Sequence, residues 1–437
     1  SSYPLYESYL NKNWVFLFNP INLFALLTLF YCVIGPIVSS ANSDGSIFYR
    51  AIDHREYYQI GLLAALVSFL AFKLGFDYKN NFLIKDYGSN KKIDSLKDKK
   101  NYLILFKWGE KIVIFTLICQ FIVFGVGFVN KIRFIGNFDI NQVSVLYAGN
   151  FQNLFIFTIN FLILAIPLMF IALLNGIKEK PKFIFYSTIA VSMFLNAGFR
   201  WRVFMLFFPI ILIYFFYKKT KPKIISLISF ILSALLILGF IQAARSYGYG
   251  LSINNFEKSQ GTSGIFTRSS INKIFKASFF DSNIFNSSAG IIHVSYTESN
   301  YTGFAAVINA LATPIPRKLW PGKPSGEYIT KLYKKVYTGY LWEVGSASFG
   351  FAEYFISGGW IALIALNFLL GYLYKRLWIW FFYNFYDPLA QITYASNLGF
   401  LFIIYTRGYL LQLVFLYLTI FTPLILLSYF WNKKFIA

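Results

Sequence analysis

The feature that most constrains the fold of this chain is a series of apolar runs, each about twenty residues long. They include residues 21–39, 57–76, 113–129, 151–174 and 224–244. A helix of about twenty residues crosses a hydrocarbon core of about 30 Å, whereas a transmembrane β-strand alternates in polarity over about ten residues. Only 13% of the 437 residues are charged, and a soluble domain carries about 25%. The sequence therefore predicts an all-α protein, a polytopic transmembrane helical bundle.

The apolar runs number about ten, and the basic residues between them predict their direction. Lysine and arginine clusters follow the even-numbered runs, for example at 91–100, 178–182, 218–223 and 433–434. Short cytoplasmic loops carry an excess of these residues, and one orientation places every cluster inside, with both termini cytoplasmic. The predicted spans are residues 18–39, 57–76, 111–129, 151–174, 183–198, 203–217, 224–244, 352–373, 388–405 and 410–430.

A long segment, residues 245–350, separates the seventh and eighth predicted spans and falls on the outer side. Connections in compact domains are much shorter, so we predict a folded external domain or lid. Its stretch 304–312 fits a short amphipathic helix lying at the membrane interface. The chain then divides into an N-terminal bundle of about seven spans (1–244), this external loop domain, and about three C-terminal spans (351–437).

The net charge of +22 is the feature that suggests a nucleic-acid partner. Most lysines lie in short loops at helix ends, so membrane topology explains the charge and no nucleic acid is predicted. The two cysteines, Cys32 and Cys119, lie inside apolar runs and indicate neither a disulfide nor a metal site. The sequence contains no phosphate-loop, dinucleotide, zinc or serine-hydrolase motif and no Asp-x-Asp pair. We therefore predict no cofactor and no metal.

Arginines lie at the predicted external ends of several spans, where charge is costly and usually functional. Arg200 and Arg202 lie between the fifth and sixth spans. Arg245 ends the seventh span, and Arg407 lies between the ninth and tenth. Each one is compatible with a side chain that extends to the outer lipid headgroups. As a set they predict a phosphate site, because planar guanidinium groups bind phosphate oxygens in pairs.

A proline-rich run within the external segment carries further cations and a tryptophan. Residues 314–324 contain four prolines, which fix an extended and rigid path along which Arg317, Trp320 and Lys323 lie. The simpler interpretation is a stiff loop that packs over the bundle. The functional interpretation is a rigid rim whose cations contact phosphate while a sugar stacks on Trp320.

Glu353 lies at the start of the eighth predicted span. An apolar boundary disfavours the charged form of a carboxylate and nearby arginines favour it, a setting that suits a general base or an acceptor-binding group. The simpler interpretation is a helix-start carboxylate that the helix dipole stabilises. The two histidines, His54 and His293, lie in predicted external segments. A loop histidine is usually inert, and His293 is the better candidate for a base.

These segments, in this order and with the long external loop between them, resemble the bacterial oligosaccharide repeat unit polymerases, the Wzy-type O-antigen and capsule polymerases. The resemblance covers about residues 190–410. It rests on the Arg200 turn, Arg245-Ser246, the run from Pro316 to Pro324, the segment from Glu353 to Trp360, and Arg407-Gly408. The N-terminal third is similar only in being composed of membrane helices.

The resemblance implies a fold like that of the GT-C lipid-carrier glycosyltransferases, with the active site on the outer face of the bacterial cytoplasmic membrane. Such enzymes transfer a growing glycan from its polyprenyl-pyrophosphate carrier to the next carrier-linked repeat unit, without metal or nucleotide and with inversion of the anomeric centre. The implied partners are lipid-linked oligosaccharides, membrane lipid and a chain-length regulator protein. In such a site Glu353 or His293 acts on the acceptor hydroxyl. The implied donor pyrophosphate ligands are Arg200, Arg245, Arg317 and Arg407, with Arg202, Trp320 and Lys323 as further substrate contacts.

Two other functions stay open. A surface-polymer ligase shares the carrier chemistry but passes the glycan to a lipid or protein acceptor, and such ligases are expected to centre on a loop histidine, for which His293 is the candidate. A flippase for the lipid-linked sugar would place its charges in a cavity near the bilayer midplane and show inverted repeats. Here the charges lie at the outer boundary and no internal repeat is visible, so a polymerase is the preferred prediction.

Overall fold

Helices account for nearly all of the chain that the structure, a computed structural model, describes. The described residues are 14–40, 48–49, 52–53, 55–78, 99–125, 155, 157–196, 200–220, 223, 284–312, 315, 319–322, 348–408 and 410–436. The sheet in this part of the chain is a two-stranded antiparallel hairpin, β1 (Phe48–Tyr49) and β2 (Ile52–Asp53). The prediction of a helical architecture is confirmed for the described residues.

The helices follow the apolar runs of the sequence. The first, α1 (Pro20–Thr28), continues through a π-helical turn (Leu29–Ile34) into α2 (Gly35–Ser40). Short 3-10 helices, Trp14–Phe18 and Thr158–Phe161, precede α1 and α5. The remaining helices are α3 (Arg55–Asp77), α4 (Lys99–Phe124), α5 (Leu162–Leu174), α6 (Lys180–Asn196), α7 (Arg200–Lys218), α8 (Ile284–Thr297), α9 (Ala305–Ala312), α10 (Gly350–Tyr383), α11 (Pro388–Thr406) and α12 (Leu410–Ile436).

Six helical stretches among the described residues are long and apolar enough to cross a membrane, and each coincides with a predicted span. They are Pro20–Ile37, Arg55–Asp77, Trp201–Lys218, Gly350–Tyr383, Pro388–Thr406 and Leu413–Phe430. Helices α4, α5 and α6 cover the third, fourth and fifth predicted spans without meeting those criteria. The seventh predicted span, 224–244, lies outside the described residues. The chain is therefore a helical multi-pass membrane protein, and the count of ten spans stays a prediction.

The chain forms two compact units that alternate along the sequence. The first contains Ser1–Tyr87, Phe279–Phe382 and Phe400–Phe415. The second contains Gly88–Ser278, Tyr383–Gly399 and Leu416–Ala437. Two helices of the predicted external segment, α8 and α9, belong to the first unit. The division into 1–244, 245–350 and 351–437 stays a prediction.

In the first unit, α3 and α10 pack through glycines. Gly75 lies against the main chain of Phe368, and Gly371 lies against the main chain of Phe72, with no space for a Cβ atom at either position. Small residues let membrane helices approach closely, so that their main-chain atoms make van der Waals contact. Phe24 of α1 stacks on Phe72, with ring centroids 4.2 Å apart, and extends this packing into an aromatic core.

In the second unit, α5 is the central element. It is buried along nearly its whole length and packs against α4, α6 and α7. Gly109 of α4 faces Met169 Cγ and the Ala165 carbonyl of α5. Both α5 and α7 contain an internal proline, Pro167 and Pro209. Membrane helices tolerate such residues because neighbouring groups satisfy the main-chain atoms that the proline leaves unpaired.

Helix α10 consists of two helical segments joined at a glycine pair. Gly358 has φ −176° and ψ 35°, and Gly359 has φ 65° and ψ −149°. A positive φ is a conformation that glycine adopts without steric penalty. The glycine pair separates a short segment, residues 350–357, from the long apolar segment 360–383. Glu353 therefore lies outside the straight part of the helix.

Candidate functional site

The predicted site residues divide into those that the structure describes and those that it does not. Glu353, Arg407, His293 and Trp320 belong to the first unit, and Arg202 belongs to the second. Arg200 begins α7 and is described in its main chain alone. The predicted candidates that lie outside the described residues are Arg245, Arg317, Lys323 and His54.

Glu353 is a buried carboxylate in the first turn of α10. The residue is 1% exposed, and its Oε2 accepts a 2.7 Å hydrogen bond from the backbone nitrogen of Leu410. Leu410 is the first residue of α12, and helix N-termini stabilise anions through their dipole and their unpaired amides. Glu353 therefore interacts with the start of a second helix while lying in the first turn of its own. The simpler interpretation from sequence, a helix-start carboxylate, and the functional one are both compatible with this geometry.

The turn that follows α11 lies against the residues that precede Glu353. The backbone nitrogen of Gly408 donates a 2.7 Å hydrogen bond to the carbonyl of Ser348. Gly408 lies so close to Phe349 that an added Cβ atom would overlap the Phe349 carbonyl oxygen. The Arg407 side chain is half-buried in this turn. The structure thus brings together the first turn of α10, which carries Glu353, and the turn after α11, which carries Arg407.

His293 lies on helix α8 and is half-buried, although the sequence placed it in an external loop. Its ring centroid is 4.8 Å from that of Tyr57, with the two planes 40° apart. Helix α8 is joined to the segment before Glu353, because Ser288 Oγ accepts a 2.9 Å hydrogen bond from the backbone nitrogen of Phe349. The histidine therefore belongs to the packed part of the first unit.

Trp320 lies on the surface of the first unit, within the proline-rich run. Its ring is exposed, which is the accessibility that stacking on a sugar requires. Thr302, earlier in the same segment, is bonded to α10: its backbone nitrogen and its Oγ1 donate to the carbonyl of Ile356, at 2.8 Å and 3.2 Å. These bonds hold the start of the segment next to the glycine pair of α10.

Arg202 is a buried cation in the second unit. It is 7% exposed, and its Nε donates a 3.1 Å hydrogen bond to Asn160 Oδ1. The guanidinium lies 5.0 Å from the ring centroid of Trp201, and Asn160 Nδ2 donates to Thr419 Oγ1 at 3.2 Å. The predicted position in an external turn differs from this, because α7 begins at Arg200 and carries Arg202 into the packed part of the unit. A guanidinium is a group that binds phosphate oxygens.

Sequence reasoning missed two buried polar clusters. Asn160 joins Arg202 in the second unit, and Cys32, Tyr405 and Thr28 are joined in the first. Cys32 Sγ lies 3.3 Å from Tyr405 Oη, which donates a 3.1 Å hydrogen bond to Thr28 Oγ1. The signal in the sequence was a polar residue inside an apolar run, since such a residue needs a partner in a membrane. The partners are distant in the chain, so spacing alone does not identify them.

Two further observations concern ligands. A mainly apolar groove of about 380 Å³ lies among α5, α6 and α7, lined by residues that include Ile166, Phe170, Phe183, Val191 and Leu206. Such a groove has the chemistry to accept a hydrocarbon chain. Within the described part of the chain, no three His, Cys, Asp or Glu side chains are grouped closely enough to hold a metal ion.

Comparisons with protein-family models, with curated proteins and with solved structures give no match to this chain. What the observations above define is a class: a helical multi-pass membrane protein. Its first unit holds a buried carboxylate at a helix start, and its second unit holds a buried arginine. A more specific function is a matter for proposal and experiment.

Proposed function

We propose that the protein is a polymerase that joins polyprenyl-pyrophosphate-linked oligosaccharide repeat units into a polysaccharide of the O-antigen or capsule type. The observation that carries this proposal is the position of Glu353, a buried carboxylate bonded to the start of α12 beside the turn that contains Arg407. A carboxylate suits proton transfer from an acceptor hydroxyl. A guanidinium suits stabilisation of a phosphate leaving group.

The proposed reaction is a displacement at the anomeric carbon of the donor glycan. The acceptor hydroxyl oxygen forms the new glycosidic bond while the bond between the anomeric carbon and the pyrophosphate oxygen breaks. Polyprenyl pyrophosphate leaves with the electron pair, and Arg407 stabilises the charge that develops on it. Glu353 accepts the proton of the acceptor hydroxyl. Attack from the side opposite the leaving group inverts the anomeric centre.

The remaining substrate contacts follow the resemblance described above. Arg200, Arg245 and Arg317 are proposed ligands of the donor pyrophosphate. Arg202, Trp320 and Lys323 are proposed to contact the substrate as well. The buried cluster of Arg202 with Asn160 supports an anion-binding role for the second unit, because a buried cation in a membrane protein is usually functional.

The proposal includes a topology and a location. The chain has about ten spans in a GT-C-like arrangement, both termini in the cytoplasm, and its active site on the outer face of the bacterial cytoplasmic membrane. The distribution of lysines supports this orientation. The six candidate spans all fall on predicted ones. A chain-length regulator is the proposed protein partner.

A ligase for the same lipid-linked glycan is the second candidate, and His293 favours it. The imidazole is half-buried against Tyr57, on a helix that Ser288 ties to the segment before Glu353. A histidine there would act as the base in place of Glu353. In that case the product is a single glycan transferred to a lipid or protein acceptor.

The test is incubation of the purified chain in nanodiscs with its polyprenyl-pyrophosphate repeat unit, without nucleotide and with a chelator, followed by gel analysis. A ladder of multiples of the repeat unit is the expected result. Glu353→Gln should abolish the ladder and keep the fold, because the glutamine Oε1 can still accept the bond from Leu410. Arg407→Ala should also abolish the ladder, so that only single repeat units remain on the gel.

Two control variants separate the candidates. Lys182→Ala removes an exposed cation of the second unit and should leave the ladder unchanged. His293→Ala should leave the ladder unchanged if Glu353 is the base, and loss of the ladder in this variant would make His293 the base in place of Glu353. A single unchanged band from wild-type protein that binds the substrate would contradict the polymerase proposal and favour a ligase or a flippase.

A further inference from the structure

An apolar surface on the first unit is not covered by the rest of the described chain. It consists of Phe304, Ile308, Leu319 and Trp320, and we call it the 304–320 surface. Phe304 is 81% exposed and Leu319 is 78% exposed. Among the large apolar side chains that the structure describes, only Ile361 is more exposed, at 82%. Phe304 and Ile308 lie one turn apart, and an exposed apolar patch marks a site that contacts a membrane or another molecule.

Helix α9 shows how this surface is built. Phe304 precedes the helix and Ile308 lies one turn later, bonded through its backbone nitrogen to the Phe304 carbonyl at 3.0 Å. Side chains four residues apart lie on one face of a helix, and here both are exposed. Asn309, which follows Ile308, is buried, and Ala312 is buried at the end of the helix. The chain here therefore turns the polar side chain of Asn309 towards the protein and the apolar side chains of Phe304 and Ile308 outwards, the reverse of a helix that faces water.

The 304–320 surface is joined to the start of a candidate membrane span. Thr302 bonds to the Ile356 carbonyl through its backbone nitrogen and its Oγ1. Gly359, at φ 65°, lies against the ring of Tyr301, where an added Cβ atom would come within 3.2 Å of the phenol oxygen. Ile361, the most exposed of the large apolar side chains described, follows two residues later. These contacts hold the start of the 304–320 surface beside the point where the second segment of α10 begins.

We propose that the 304–320 surface lies in the lipid bilayer, at the boundary between headgroups and acyl chains. The occupant is membrane lipid, because the surface adjoins a helix that itself faces lipid and because Phe304, Ile308 and Leu319 project away from the protein. Amphipathic helices bind this boundary with their apolar face about 5–10 Å deep. Tryptophan and tyrosine prefer the same depth, where Trp320 and Tyr301 would lie. Trp320 is also a proposed substrate contact. Phe304, Ile308 and Leu319 have no role in the proposed polymerase activity, so the inference does not rest on that activity.

A consequence is that part of the predicted external segment runs along the membrane surface. The segment from α9 to Trp320 then lies at the level where lipid headgroups are found. A domain standing free in water would instead expose charged side chains on its outer face. The exposed phenylalanine and leucine of this segment have the opposite character.

The test is spin-label accessibility in the full chain, reconstituted in nanodiscs of phosphatidylethanolamine and phosphatidylglycerol. Single cysteines replace Phe304, Ile308 or Leu319, and Ser299→Cys serves as the matched exposed polar control. The native thiols Cys32 and Cys119 are both buried, so the nitroxide reagent reacts at the introduced position. Collisions with oxygen, which concentrates in lipid, are compared with collisions with a water-soluble nickel chelate.

Labels at positions 304, 308 and 319 are expected to collide several-fold more with oxygen than with nickel, relative to the label at 299. A preference for nickel at these positions would overturn the proposal, because the surface would then face water. Exclusion of both reagents would also overturn it and would indicate a protein partner or a second copy of the chain. Positions 304 and 319 come from different segments, so either one decides the question if the other variant fails to fold.

Discussion

The two units hold their buried charged side chains in different ways. In the first unit these side chains bond to main-chain atoms: Glu353 accepts from the Leu410 amide, and Lys375 donates to a backbone carbonyl. In the second unit Arg202 bonds to the side chain of Asn160. A main-chain partner is present whatever residue occupies the position, whereas a side-chain partner is lost by one substitution. The positions of the buried charged groups in the first unit therefore depend on backbone geometry. The position of Arg202 in the second unit depends on the presence of the Asn160 side chain.

Helix packing shows the same difference. In the first unit, the atoms nearest to a Cβ added at Gly371 are all main-chain atoms of Phe72. In the second unit, a Cβ added at Gly109 would lie 2.6 Å from Met169 Cγ, which belongs to a flexible side chain, and 2.7 Å from the Ala165 carbonyl oxygen. The nearest main-chain oxygen at Gly371 is closer than that. Methionine adapts its rotamers to fill irregular space. The first unit should therefore be less tolerant of added volume than the second.

The largest expected effect is that of Gly371→Ala. The new methyl group would overlap the Phe72 carbonyl oxygen, and a main-chain atom cannot rotate away. Overpacking costs typically about 1–3 kcal/mol, and we expect the upper end of that range in thermal unfolding of the detergent-solubilised protein. Gly109→Ala is the matched variant in the second unit and should lose less stability, because Met169 can adjust. Its main-chain overlap, 2.7 Å from the Ala165 carbonyl oxygen, is also smaller than that at Gly371. Equal losses in the two variants would break the comparison between the units.

The second prediction concerns the carboxylate at the start of α12. Glu353→Ala leaves the Leu410 amide without its acceptor, and a hydrogen bond to a charged group is worth about 1.5–3 kcal/mol. Glu353→Gln keeps an acceptor, so it should recover most of the lost stability without recovering polymer formation. Unfolding temperature and ladder formation are measured on the same preparations. If Gln restored both properties, Glu353 would be a structural residue and its role as a base would be excluded.

A smaller effect is expected at Thr419, which accepts a hydrogen bond from Asn160, the partner of Arg202. Thr419→Val removes the hydroxyl that accepts from Asn160, and hydrogen bonds between membrane helices average about 0.6 kcal/mol. Thr422→Val is the control on the same helix, because Thr422 Oγ1 donates to the Leu418 carbonyl of its own helix. Thermal unfolding should separate the two variants by a small margin. A larger loss in the control would contradict the importance of the cluster.

The smallest effect is expected at the surface of the second unit. Glu110 and then Glu179 raise the pKa of Lys182, which lies 3.7 Å and 3.5 Å from their carboxylate oxygens. A raised lysine pKa contributes stability that is complete below the ordinary lysine value and is lost as the pH rises through the folded-state value. Lys182 is exposed, so solvent screens both ion pairs, and Lys182→Ala should leave the unfolding temperature unchanged at neutral pH. A clear shift at pH 7 would show that exposed ion pairs matter here.

The sequence predicts the helices well because each apolar run satisfies a single requirement, that of spanning hydrocarbon. The helix predicted at 304–312 is present as α9 (Ala305–Ala312), and its place at the membrane interface stays a prediction. The approach of Glu353 and Arg407 also follows from sequence in outline, since both lie at predicted span ends on the same side. Whether these residues perform catalysis stays a prediction.

The unpredicted features depend on contacts between residues that are far apart in the chain. The partner of Glu353 is a backbone amide 57 positions away, and an amide has no signature in the sequence. Asn160 and Arg202 are 42 positions apart on different helices, and helix packing selects that pair. The sequence places His293 in an external loop because this residue lies in the long segment between the seventh and eighth predicted spans. In the structure, packing against α3 holds this residue in a helix.

The glycine pair in α10 has a consequence for the response of the protein to membrane thickness. The segment 360–383 contains Lys375 and Arg376, so its uninterrupted apolar part is residues 360–374, about 22 Å long at about 1.5 Å per residue. That is shorter than a hydrocarbon core of about 30 Å, and such a helix is matched by local thinning of the bilayer or by flanking residues that extend to its surface. Because Gly358 and Gly359 separate this segment from Glu353, the segment can adjust to the bilayer while the carboxylate keeps its bond to Leu410. Hydrophobic mismatch would then be absorbed next to the candidate site without displacing it.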